Sequence, residues 1–247
     1  MIVFLNSSLD TNYKDEMGNR IPQHFGNKNG ILDNLKKYIK KYDNFLFIAS
    51  DENAYDITDL YAQVAIDSFK ITLPFKKYTV LDGRNYIEAP LLIKNADFIF
   101  LSGGHVPTQL KFFEKIKLKE LLKDTNAIIA GSSAGSMNCA RIVYCPPEYE
   151  TEFLDNTFNR FLRGLSLTNI NIFPHYNELK DQYIAGFNHI EDICKPDSYK
   201  CDIYALVDGS YILIEEGLST IYGEAYLIRN GEISNICRDD ESIKLDC

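Results

Sequence analysis

Runs of four or five residues without a polar side chain recur along this chain, each beside a longer stretch with helical spacing. Phe45-Leu46-Phe47-Ile48-Ala49, Phe98-Ile99-Phe100-Leu101 and Ala127-Ile128-Ile129-Ala130 are the clearest. A strand with one face in water alternates apolar and polar positions. These do not, so both faces must be covered, as in a parallel sheet under crossover helices. The neighbouring stretches supply such helices. Residues 30–42 put Ile31, Leu35, Tyr38 and Ile39 on one side and lysines on the other, and 51–69 repeat the pattern through Leu60, Val64, Ala65 and Phe69. Residues 106–122 read as helix in two pieces. The alternation predicts an α/β fold, a three-layer sandwich around a mostly parallel central sheet.

The last third has a different rhythm. Residues 203–207, 211–214, 220–222 and 225–228 are strand-like, punctuated by the turn pairs Asp208-Gly209, Glu216-Gly217 and Asn230-Gly231. They predict antiparallel strands added to one edge of the sheet. A length of 247 residues is within reach of one core, so 1–247 is expected to be a single domain. Residues 10–29 are polar and without period and predict only a loop.

Charge and cysteine usage narrow the partners. The 26 basic against 35 acidic residues, net −9, argue against a nucleic-acid backbone or an anionic membrane. No apolar run nears the roughly 18 residues of a membrane span. Met1-Ile2-Val3-Phe4-Leu5-Asn6 lacks a basic segment and turns polar too soon for a secretion signal, so a cytoplasmic protein is expected. The six cysteines (Cys139, Cys145, Cys194, Cys201, Cys237 and Cys247) form no C-x-x-C pair, and His24, His105, His175 and His189 stand at no zinc spacing. Reduced thiols, no metal and no cofactor are the matching expectations.

The third apolar run carries the chemistry. It enters Gly131-Ser132-Ser133-Ala134-Gly135, which fits G-x-S-x-G. Small residues around the central serine let a strand turn sharply into a helix, and the strained turn pushes the hydroxyl out at the carboxyl end of the sheet. The helix N-terminus behind it offers unpaired amides and partial positive charge to a developing oxyanion. Ser132 and Ser136 lack glycines at both required offsets. The second run ends in Ser102-Gly103-Gly104, and neighbouring strand ends of an open α/β sheet share one crevice. The N–H groups of Gly104 and Ala134 are therefore oxyanion-hole candidates, with Gly103 and His105 lining the substrate pocket. A plain glycine-rich turn or a phosphate loop competes with this reading, although neither G-x-G-x-x-G nor G-K-[ST] is present.

A serine hydroxyl needs a base, and an acid to orient that base. His175 follows a strand-like run stopped by Pro174, which sets it at a strand end. His24 lies in the aperiodic loop, His105 follows the glycine pair, and His189 sits on an amphipathic stretch that predicts a surface position. For the acid, Asp208 also follows a strand, with a simple hairpin turn as its competing role. Glu148, in Pro146-Pro147-Glu148, is the alternative.

Taken together, Ser102-Gly103-Gly104, Gly131–Gly135, Phe173-Pro174-His175-Tyr176-Asn177 and Ala205-Leu206-Val207-Asp208-Gly209, in that order, resemble peptidase family S51, the group of dipeptidase E and cyanophycinase. The resemblance covers the chain from about residue 45 to 228. It implies a sheet like that of class I glutamine amidotransferases (flavodoxin-like), with serine in place of their cysteine. It also implies Ser133 as nucleophile, His175 as base and the amides of Gly104 and Ala134 as the oxyanion hole. Two positions depart from the family pattern. Asp208 stands where the family has a glutamate, and residues 177–183 hold no arginine where dipeptidase E has a basic stretch for the substrate's aspartate.

The expected activity is hydrolysis of short peptides by a serine peptidase through an acyl-enzyme, with a small peptide as partner and room for a homodimer. A catalytically silent, amidotransferase-like binding protein and a cyanophycinase-like hydrolase are the alternatives.

Overall fold

Eight strands form the central sheet of the computed structural model, which describes residues 1–245. They are β1 (Ile2–Asn6), β2 (Asn44–Ile48), β3 (Lys77–Leu81), β4 (Phe98–Leu101), β5 (Ile128–Ser132), β6 (Tyr211–Glu215), β7 (Leu218–Tyr222) and β8 (Ser242–Leu245). Their order across the sheet is β8-β7-β6-β1-β5-β4-β2-β3. From β1 to β3 every neighbouring pair is parallel, whereas β6, β7 and β8 extend the sheet beyond β1 by antiparallel pairing. The fold is thus the expected α/β architecture with antiparallel C-terminal strands.

The apolar runs alternate after all, in size rather than polarity. Phe4, Phe45, Phe47, Phe98 and Phe100 point to one face, where Phe69 of α2 (Tyr55–Thr72) and Leu35 of α1 (Ile31–Tyr38) cover them. Val3, Leu5, Leu46, Ile48, Ile99, Leu101 and Ile129 point to the other, against Val106, Leu110 and Phe113 of α3 (Val106–Lys115). Period-two side-chain geometry sorts aromatic from aliphatic residues because each face meets its own helices. Burying each such side chain contributes about 1.5–3 kcal/mol, which fixes the register of the parallel strands.

The structure departs from the sequence reading in several elements. β1 lies at the centre of the sheet, and β3 forms its edge; neither run was distinctive enough to read as a strand. Of the four C-terminal runs, two become β6 and β7. The other two, Ile203–Leu206 and Ala225–Arg229, instead join a separate four-stranded sheet with Asn171–Phe173 and Glu232–Cys237. Their inward residues Phe173, Ile203, Ala205 and Ile228 close a third core around Tyr144, so burial rather than adjacency decides their partners. Residues 10–29 contain a hairpin, Asn12–Lys14 against Arg20–Pro22. The five described cysteines are free thiols and all but Cys201 are buried; Cys247 lies outside the described residues. Among the described residues no helix is long and apolar enough to cross a membrane.

Candidate active site

β5 ends at Ser132, and the chain turns directly into α4 (Ala134–Met137). Ser133, the residue between them, has φ 52° and ψ −118°, a conformation that side chains with a Cβ rarely adopt. Its N–H donates to the carbonyls of Asn6 and Ser7 at 3.1 and 3.0 Å, and its carbonyl receives the N–H of Ser136 at 2.9 Å. The flanking glycines are there for space. A Cβ on Gly131 would lie 2.5 Å from the backbone N of Ser136, and one on Gly135 would lie 2.2 Å from the carbonyl oxygen of Leu101. The spacing of G-x-S-x-G therefore records two backbone approaches, one on each side of the strained serine.

His175 follows the strand Asn171–Phe173 and is itself left-handed, with φ 56°. Its Nε2 lies 3.0 Å from Ser133 Oγ and its Nδ1 lies 2.8 Å from Asp208 Oδ1. A carboxylate only accepts, so Nδ1 carries the proton and Nε2 accepts the Ser133 hydroxyl. Burial pulls the imidazole pKa down, but the hydrogen bond and charge of Asp208, with Glu178 nearby, outweigh it and hold the ring above its ordinary value. Burial raises the Asp208 carboxyl, and its bonds to His175, Ser7 and Ser8 bring it below the usual range. Asp208 is about half exposed, at 48% of its side chain.

Ser7 has a role the sequence did not disclose. It is fully buried at the carboxyl end of β1, donates its hydroxyl to Asp208 Oδ1 at 2.7 Å and accepts the His175 N–H at 2.8 Å. A serine just after an apolar strand was the available signal, but β1 had not been read as a strand. Asn6 binds the same turn, its Nδ2 donating to Gly131 O at 2.7 Å and its carbonyl accepting Ser136 Oγ at 2.9 Å.

The other sequence candidates separate. Glu148 makes no contact with His175 among the described residues. Its Oε1 faces the Val106 N–H at 3.5 Å, and burial pushes its carboxyl up. His105 caps the start of α3 and bonds Thr108 Oγ1 and Glu152 Oε1, both at 2.7 Å. His24 accepts the N–H of Gly26 at 3.0 Å, away from the serine. His189 is not on the surface. Residues 177–200 form a hairpin and short helical pieces, and His189 opens one of these, a π-helical turn (His189–Cys194), with its ring inward, 6.4 Å from Phe173, where burial depresses its pKa.

Ser133, His175, Gly103, Gly104 and His105 share one cavity of about 710 Å³, within the size range of small-ligand sites. Among the described residues the one grouping with metal-ligand spacing is His175, Glu178 and Asp208, within 4.8 Å of one another. Both His175 nitrogens are already engaged there, by Ser133 and Asp208.

These contacts are those of a serine-type hydrolase site on an α/β fold. Two peptidases are among the solved structures that share its fold. A peptidase from an acI-B1 Actinobacterium superposes with a TM-score of 0.64 at 14% identity, over 99% of this chain and 96% of that one. A candidate peptidase E from Listeria monocytogenes EGD-e gives 0.53 at 16% identity, over 95% of this chain and 97% of that one. None of the curated proteins matches in sequence. The model of peptidase family S51 matches residues 23–221, and the chain belongs to that family of serine-type peptidases.

Proposed function

We propose that the chain hydrolyses short peptides in the manner of dipeptidase E, through a Ser133–His175–Asp208 triad and an acyl-enzyme. One observation carries the reading: the unbroken line of contacts from Ser133 Oγ to His175 Nε2 at 3.0 Å and from His175 Nδ1 to Asp208 Oδ1 at 2.8 Å, on a serine held at φ 52°. Ser133 Oγ attacks the scissile carbonyl carbon while His175 Nε2 takes its proton. The N–H groups of Gly104 and Ala134, which donate to no acceptor among the described residues, are the donors this reading assigns to the resulting oxyanion. His175 then gives the proton to the leaving amine, and a water repeats the sequence on the ester. Asp208 fixes the imidazole tautomer and stabilises the imidazolium.

The reading includes a single domain of residues 1–247 and a cytoplasmic setting, which the free thiols suit. A fluorophosphonate probe tests it: wild-type protein should be labelled at Ser133 and should release amino acids from a dipeptide library. Failure of the probe to label Ser133 overturns the triad.

A further inference from the structure

The cavity that holds Ser133 reaches the hairpin of residues 12–22. Arg20, at the start of the second hairpin strand, lines it together with Asn12 and with Tyr61 of α2. Arg20 is the sole lysine or arginine among the residues lining the cavity. Its Nη1 donates to Asn12 Oδ1 at 3.0 Å, and its guanidinium carbon lies 4.9 Å from the centre of the Tyr61 ring. Among the described residues no carboxylate pairs with it. Asp51, the one carboxylate lining the cavity, receives the Asn53 N–H at 2.8 Å instead.

Three arginines elsewhere in the chain are ion-paired, which Arg20, among the described residues, is not. Arg84, Arg160 and Arg229 each face an aspartate. Arg20 is held on one side by a neutral amide and beneath by an aromatic face, which orient the fork without neutralising it. Among the described residues most of its N–H donors have no protein acceptor. A guanidinium fixed this way presents a planar, two-pronged site for a carboxylate, and the buried apolar residues Val64 and Phe100 line the same cavity.

We propose that Arg20 is the carboxylate subsite of this cavity: it binds a carboxylate of the peptide whose scissile bond Ser133 attacks. The inference rests on the triad reading above. A short peptide offers a carboxylate from two sources, its C-terminus or an acidic side chain, and the guanidinium recognises the group that both share. Asn12 and Tyr61 act as positioning residues for it.

The test compares dipeptides with free C-termini, their C-terminal amides, and Asp/Asn and Glu/Gln pairs within the library, on wild type, Arg20→Gln and Arg20→Lys. Wild type should prefer the carboxylate over its amide by about 10–100-fold in kcat/KM for one of the two sources, the worth of a charge-assisted hydrogen bond. Arg20→Gln should bring that ratio close to one. Arg20→Lys should restore part of it, because an ammonium supplies the charge without the fork. Fluorophosphonate labelling of Ser133 is run alongside and separates the two readings. No labelling of wild type refutes the triad. Labelling without cleavage of any free dipeptide leaves the triad standing but refutes the dipeptidase reading and the Arg20 subsite with it; labelling and cleavage without preference for either carboxylate source, or with Arg20→Gln slowing acid and amide substrates equally, refutes the Arg20 subsite alone.

Discussion

Replacing Asp208 by asparagine keeps the side chain's size and removes the charge that faces the His175 imidazolium across 2.8 Å. At that separation the Coulomb interaction is about 6 kcal/mol with an effective dielectric of 20 and about 1.5 kcal/mol in bulk water. The Asp208 side chain is 48% exposed, so solvent screens it and the working value is about 3 kcal/mol, a loss of roughly two orders of magnitude in kcat. That is smaller than the roughly ten-thousandfold loss expected where a triad acid is fully buried. KM should change little, because the charge on His175 forms only in the transition state. The pH profile gives a second reading. His175 acts as a base when neutral, and its pKa lies above the ordinary value of about 6.5, so the acid limb of kcat/KM should fall above that pH. Asp208→Asn removes both contributions of Asp208 and leaves burial to pull the pKa down, so the limb moves to lower pH. Steady-state hydrolysis of one cleaved dipeptide across pH 5–9 measures both effects. An Asp208→Asn enzyme within about threefold of wild type, an unmoved limb, or a larger loss in Glu148→Gln would refute the reasoning.

Ser133→Ala should cost about four to six orders of magnitude in turnover while leaving the melting temperature close to wild type, since alanine fits the same turn; chromatography of products and thermal melting read the two. Ser7→Ala removes the bonds to Asp208 and to the His175 N–H, and about tenfold of kcat/KM should go with them. That loss should shrink in the Asp208→Asn background, and a double-mutant cycle showing full additivity would count against the link. Gly135→Ala sets a Cβ against the Leu101 carbonyl at 2.2 Å, so about 3 kcal/mol of stability, or roughly 10 °C in Tm, should be lost in a calorimetric melt.

Much of the site was legible because its signals are local. The turn at Ser133 is written in glycines whose absence of side chain is required by backbone atoms within a few residues or on the adjacent strand, and an apolar run before them marks the strand that delivers it. His175 and Asp208 each follow a strand of the second sheet, and those two strands pair in parallel, so their ends lie together. Three of the apolar runs became β2, β4 and β5 with small shifts at their ends. What pattern could not decide was pairing. β1 reads like any short apolar run, yet its central place in the sheet depends on contacts with β5 and β6, more than a hundred residues away. Without it, Ser7 has no address, and its two bonds within the site stay hidden. Residues 203–206 and 225–229 look the same as 211–215 from their composition, and only the space around Tyr144 sends them to a second sheet. The choice between Asp208 and Glu148 was open for the same reason. Both are acids after or near apolar segments, and which one meets His175 is fixed by the parallel pairing of Asn171–Phe173 with Ile203–Leu206, which carries both ends to one point. Sequence alone determined the residue types and the sharp turn that the chemistry needs, because those obey neighbours along the chain. Tertiary structure alone decided which distant groups share the cavity, Arg20 and Ser7 among them, because long-range pairing depends on what each face can bury.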